Sequence, residues 1–107
     1  KDVFIPERDD ALVGGDGWTY IAACGDAAKI GQSSDPRRRL SDISKTCPAP
    51  LIPLAIIPGA SNEAVLHRVF ARHRLHGEWF RLVPEIIELA ARQPPPPPGL
   101  GIRIGEP

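Results

Sequence analysis

The chain has 107 residues, 42% of them hydrophobic, a formal net charge of +0 at pH 7 and 2 cysteines. That length supports one small globular domain with a modest core, and the neutral balance excludes a global electrostatic pull toward nucleic acid, so any such binding rests on a local patch. No apolar run is long enough for a membrane-spanning helix and none reads as a signal peptide. Two cysteines without a CxxC pattern point to a reduced, cytoplasmic setting rather than a disulfide framework.

Residues 1–17 read as a lead-in. The chain begins with lysine, not methionine, which together with its proline-rich end suggests a piece of a longer polypeptide. Trp18 to Cys24 and residues 27–31 are two extended runs around Gly25-Asp26, which suits a two-residue hairpin turn with glycine first. That register sets Cys24 opposite Ala27, Ala22 opposite Lys29, and Tyr20 opposite Gly31. Side chains alternate along a strand, so Tyr20, Ala22, Lys29 and Gly31 share one face, and Ile21, Ala23, Ala28 and Ile30 share the apolar other. Tyr20 and Lys29 become diagonal neighbours within reach of each other, although spacing alone leaves open a surface tyrosine beside a solvated lysine.

Asp35-Pro36 is an N-cap and first-position pair that opens a helix, with Leu40 and Ile43 as its buried stripe. Arg37, Arg38 and Arg39 fall in its first turn, where the helix dipole favours an anion. They read either as a phosphate site or as a solvated basic face. Cys47-Pro48 ends the helix. Residues 51–57 form a third strand, in which Pro53 argues for a sheet edge or a delayed start.

A second helix is expected over 61–75, capped by Ser61, with Val65, Leu66, Val69 and Phe70 inward. On this helix Glu63, His67 and Arg74 align along one margin of the apolar face. There a carboxylate serves a metal or proton chemistry, or only the helix dipole. Arg68 and Arg72 add a basic strip one turn apart. Gly77 reads as a helix stop, Trp79 and Phe80 as core anchors, and Pro84 as the start of a last helix to about residue 92 that buries Ile86, Ile87, Leu89 and Ala90. Residues 93–107 form a tail whose run Pro94 to Pro98 favours polyproline II. The spacings of His67, His73 and His76 with the cysteines match no usual zinc pattern.

Several short motifs occur in a telling order: Thr19-Tyr20, Lys29-Ile30-Gly31, Asp35-Pro36 through Arg39-Leu40, Glu63-x-x-Leu66-His67-x-x-Phe70, and Arg74-x-x-Gly77-Glu78-Trp79-Phe80. In that order the chain resembles the GIY-YIG endonuclease superfamily, in its KIG-containing phage-associated and meiotically up-regulated gene branch. The resemblance runs over residues 18–90. It implies an α+β fold, a small three-stranded antiparallel sheet flanked by three helices. It also implies a metal-dependent DNA endonuclease domain over residues 18–92. By resemblance Glu63 holds one divalent cation, Mg2+ or Mn2+, Tyr20 activates or orients the attacking water, and Arg39 stabilises the scissile phosphate. Lys29 stands where that superfamily has a second tyrosine, and could donate to the phosphate or act as a base. Arg37, Arg38, Lys45, His67, Arg68, Arg72 and Arg74 complete the candidate nucleic-acid-binding set, with DNA as the expected partner. Two other readings stay open, a nucleic-acid-binding module that does not cut and a protein-interaction domain on the same fold.

Overall fold

The computed structural model describes residues 15–94. The expected lead-in, apart from residues 15–17, and the proline run from Pro95 onward lie outside them. Strand β1 (Trp18–Cys24) turns through Gly25-Asp26 into β2 (Ala27–Ser33), and helix α1 (Pro36–Ser44) leads to β3 (Leu51–Pro58). Helix α2 (Asn62–Val69) is followed by a 3-10 turn at Ala71–His73, then β4 (Arg74–His76), β5 (Trp79–Arg81) and helix α3 (Pro84–Ala91).

The first hairpin has the register that alternation and turn chemistry predict, with Cys24 paired to Ala27, Ala22 to Lys29 and Tyr20 to Gly31. Gly25 takes φ +62° while Asp26 stays at negative φ, so only the first turn position needs glycine. Asp35 caps α1 by accepting from the Arg38 amide at 3.2 Å, and Pro36, Leu40 and Ile43 are buried. Pro53 does lie on an edge strand, because the sheet order is β3-β1-β2-β5-β4 and all its pairings are antiparallel.

That order corrects the expected three-stranded sheet: among the described residues the sheet has five strands, flanked by three α-helices. The start of β4, Arg74 and Leu75, falls where the second helix was expected to end, and the short closing strand expected at Trp79 and Phe80 is β5 of the β4–β5 hairpin. Helix α2 stops at Val69, and its C-cap Phe70 leaves helical backbone at φ −106°, ψ 20°. Arg74 therefore sits in a strand. All three residues of β4 are exposed, so no apolar alternation marked it. Gly77, at φ +53°, is the first central residue of a second hairpin turn rather than a helix stop. Ser61 makes no side-chain capping bond; instead Asn62 is buried and donates to the Pro58 carbonyl at 2.9 Å.

The sheet separates two cores. Helices α2 and α3 cover one face, where Ile21, Ala28, Ile30, Ala55, Ile57, Leu66, Phe70, Phe80, Ile86 and Leu89 pack together. Helix α1 covers the other, over Tyr20, Ala22, Cys24, Leu40, Ile43, Leu51 and Ile56. Phe80 is fully buried, whereas Trp79 is only half-buried against the α1 side. Ile87, expected inside, is 46% exposed because Ile86, Leu89 and Ala90 already fill the inward stripe of α3. Cys24 and Cys47 are joined by a disulfide with 6.5 Å between their Cα atoms, which corrects the reading of two unpaired thiols. It ties the end of β1 to the loop between α1 and β3.

Candidate functional site

The site grows from the β1–β2 register. Tyr20 lies across from Gly31, and a side chain at Gly31 would run into the Tyr20 hydroxyl and come within 2.9 Å of Glu78 Oε1. Glycine thus opens a hollow on the sheet that the tyrosine ring occupies and the Glu78 carboxylate borders. Tyr20 is fully buried. The Arg39 guanidinium approaches its hydroxyl closely enough to favour the phenolate. No group reaches it in hydrogen-bond geometry, however, so the hydroxyl is buried without a partner in the protein. A buried polar group of that kind ordinarily finds a partner. Burial first, then the nearby charges of Glu78 and Glu63, push the Tyr20 pKa up against the opposing pull of Arg39. The phenol therefore stays protonated at neutral pH.

Glu78 reaches this place through the second hairpin. Its carbonyl accepts from the Ile30 amide at 3.0 Å, continuing the β2–β5 ladder one step past the Lys29–Trp79 pair. Its side chain then faces Lys29, whose Nζ is 3.1 Å from Glu78 Oε1. The Lys29 side chain is 11% exposed and its ammonium lies 5.2 Å from the centre of the Trp79 ring, so the ion pair is shielded on the lysine side.

Glu63, in the first turn of α2, meets Glu78 from the other direction. The two carboxyl groups adjoin, each acting on the other's pKa, and Gln32 Nε2 donates to Glu63 Oε1 at 3.5 Å. Burial and then the adjacent Glu78 raise the Glu63 pKa. Burial also acts to raise Glu78, but the Lys29 and Glu63 hydrogen bonds outweigh it and its pKa falls. The pair thus competes for one proton, which Glu63 holds more tightly.

The structure brings Tyr20, Lys29, Arg39 and Glu63 into one neighbourhood and adds Glu78, which sequence reasoning passed over as part of a closing motif. The signal available was the Gly77-Glu78 turn, which repeats the glycine–acid order of Gly25-Asp26. His67 is engaged within the fold. Its Nε2 lies 2.8 Å from the Ile30 carbonyl and its Nδ1 lies 3.0 Å from an Arg74 guanidinium nitrogen. A carbonyl only accepts and an arginine only donates, so the proton is on Nε2 and the ring is neutral with both nitrogens engaged. Edge contact with Phe80 at 5.0 Å, and Arg74 over the same ring at 5.6 Å, complete a structural stack. Arg37, Arg38, Arg68 and Arg72 are exposed on or beside α1 and α2, and Lys45 pairs loosely with Asp42 at 3.7 Å.

Among the described residues no group of three or more His, Cys, Asp or Glu side chains forms a metal-binding cluster. The oxygen set of Glu63 and Glu78 nevertheless suits a hard divalent cation that keeps several of its waters, as Mg2+ does. No helix of the described residues is long and apolar enough to cross a membrane.

These features define an antiparallel α+β domain whose polar centre combines two acids, two cations and an unpartnered phenol. The chain matches the T5orf172 domain family over residues 17–93 and belongs to it. That family differs from the GIY-YIG superfamily to which the ordered motifs pointed, and the match replaces that assignment. The motifs are short and individually weak, so their order carried a likeness that the match over the whole domain does not uphold. Membership is broadly compatible with a nucleic-acid-related function, with DNA a plausible partner. No curated protein and no solved structure matches the chain.

Proposed function

We propose that the domain is a metal-dependent endonuclease that hydrolyses phosphodiester bonds in DNA at the Tyr20–Glu63 centre. The observation that carries this reading is the buried, unpartnered Tyr20 hydroxyl beside a carboxyl pair and two cationic side chains. Glu63 holds the cation, Mg2+ or Mn2+, which when bound polarises the phosphate and neutralises charge on the leaving oxygen. Arg39, exposed on the first turn of α1, offsets charge on the phosphoryl oxygens at a helix end that already favours anions. Tyr20, protonated at neutral pH, orients the attacking water by a hydrogen bond rather than removing its proton. Arg37, Arg38, Arg68 and Arg72 supply the electrostatic footprint for the DNA backbone.

Plasmid DNA incubated with the domain and Mg2+ or Mn2+ is expected to be cut slowly. Glu63→Gln abolishes cutting, and Arg39→Ala costs on the order of 10²–10³ in rate. DNA affinity falls steeply with salt, and the Arg37, Arg38, Arg68 and Arg72 quadruple alanine variant flattens that dependence. An inert wild type under either metal overturns the hydrolytic reading.

A second reading has one observation behind it. Lys29 is held by Glu78 rather than presented to a ligand, which favours a module that binds nucleic acid without cutting it. Salt-sensitive DNA binding with no cleavage under either metal supports that alternative.

A further inference from the structure

Resting on the hydrolytic reading, we propose that Glu78 is a second carboxylate ligand of the cation site built on Glu63, and that Lys29 is its built-in competitor, displaced toward the substrate phosphate when the cation binds. Two acids side by side do not make a site. The independent observation is the Tyr20 hydroxyl, fully buried and without a hydrogen-bond partner. It borders the same hollow over Gly31 as Glu78 Oε1. Oxygen atoms from three separate elements thus gather at this corner: Tyr20 from β1 and Glu78 from the β4–β5 turn over Gly31, and Glu63 from α2 beside Glu78. One member has no use within the protein's own hydrogen bonding.

The ammonium of Lys29, 3.1 Å from Glu78 Oε1, supplies the positive charge that this acidic corner requires. A divalent cation shared by Glu63 and Glu78 supplies more charge at the same oxygens and makes the lysine contact redundant. The Lys29 ammonium also lies 5.2 Å from the centre of the Trp79 ring, a second attraction that keeps the released head near the hollow, where the phosphate of a bound strand is the nearest anion to receive it. The scheme moves no electrons and breaks no covalent bond. It exchanges one cationic partner of Glu78 for another.

The scheme predicts opposite signs for two neighbouring substitutions, which a merely structural Lys29–Glu78 pair does not. Mn2+ binding to the folded, DNA-free domain is measured by isothermal titration or by the paramagnetic resonance of free Mn2+. Glu78→Gln keeps the backbone carbonyl that pairs with Ile30 and is expected to weaken Mn2+ by on the order of tenfold. Lys29→Met is expected to tighten Mn2+ several-fold, and Lys29→Arg, which keeps the competing charge, is expected to leave it near wild type. A thermal melt of each variant confirms that folded protein is compared.

If Glu63→Gln loses Mn2+ while Glu78→Gln binds it as wild type does, Glu78 is no ligand and the proposal fails with the hydrolytic reading intact. If Lys29→Met binds Mn2+ no more tightly than wild type, the competition fails in the same way. If wild type binds no Mn2+ at millimolar concentration, the hydrolytic reading fails and this proposal with it.

Discussion

The two faces of the sheet are built to different rules. The face under α2 and α3 is apolar and closed: Ile21, Ile30, Leu66, Phe70, Phe80, Ile86 and Leu89 are all fully buried. The face under α1 begins the same way, with Leu40, Ile43 and Leu51 over Ala22 and Ile56. Toward β2 and β5 it gives way to an unpartnered phenol and a shielded lysine paired with Glu78, which Glu63 meets from α2. The first region has little besides packing to offer. The second holds polar groups that a purely structural core would have replaced. Close apolar packing and polar groups are therefore concentrated in different parts of one five-stranded sheet, and substitutions should sort accordingly.

The largest effect falls on the closed face. Phe80→Ala is expected to cost about 3–5 kcal/mol, whereas Trp79→Ala, half-buried on the other side, costs clearly less; urea unfolding of the two variants tests the order. Equal losses would mean that the α1 face bears as much of the fold as its opposite.

Gly31→Ala comes next, because the added methyl meets the rigid Tyr20 ring rather than a flexible side-chain end. A destabilisation of about 1–3 kcal/mol is expected, as for overpacking, with loss of whatever activity depends on Tyr20. A variant as stable as wild type would show that the hollow has more room than the structure gives it.

Tyr20→Phe should do the opposite to stability. Removing a buried hydroxyl that lacks a partner relieves about 1 kcal/mol or more of desolvation cost, while cleavage falls. A melt that drops in this variant would reveal a hydrogen bond to the hydroxyl and break the contrast between the faces.

The smallest effect concerns Glu63, whose pKa is raised by burial and then by Glu78. A raised carboxyl favours folding while it is protonated. Its contribution is complete below the unfolded value of about 4.3 and is lost as pH rises through the folded value. Glu63→Gln removes that loss. The variant should melt close to wild type near pH 4 and a few degrees above it near pH 8. Thermal scans at the two pH values check it, and a wild type that melts higher than the variant at pH 8 would show that Glu63 gains more from its partners than it loses to Glu78.

What the sequence reveals follows the same division. The first hairpin was legible because alternation and a glycine-first turn act locally, and α1 because Asp35-Pro36 caps it wherever it lies. The place of Glu63 at the border of the core was legible because helix periodicity sets it there. The β4–β5 hairpin was not legible. Its first strand is exposed throughout, and its pairing with β2 is set by tertiary contact. Losing that hairpin meant losing Glu78, whose position depends on a bond to Ile30, 48 positions earlier in the chain. The Cys24–Cys47 bond was likewise hidden, since two cysteines 23 residues apart carry no spacing signal.

The histidine that looked like a site residue has a consequence beyond the centre. Pairing between β2 and β5 ends at Lys29, and the next outward-facing backbone groups belong to Ile30. One is taken by the Glu78 carbonyl and the other by His67. Unclaimed strand groups at such a step are a template on which a foreign strand can add. By seating an imidazole there and folding α2 alongside, the chain seals the step with a side chain. Loss of His67 is therefore expected to show first in the solution behaviour of the domain, as concentration-dependent oligomers, before any change at the Tyr20–Glu63 centre.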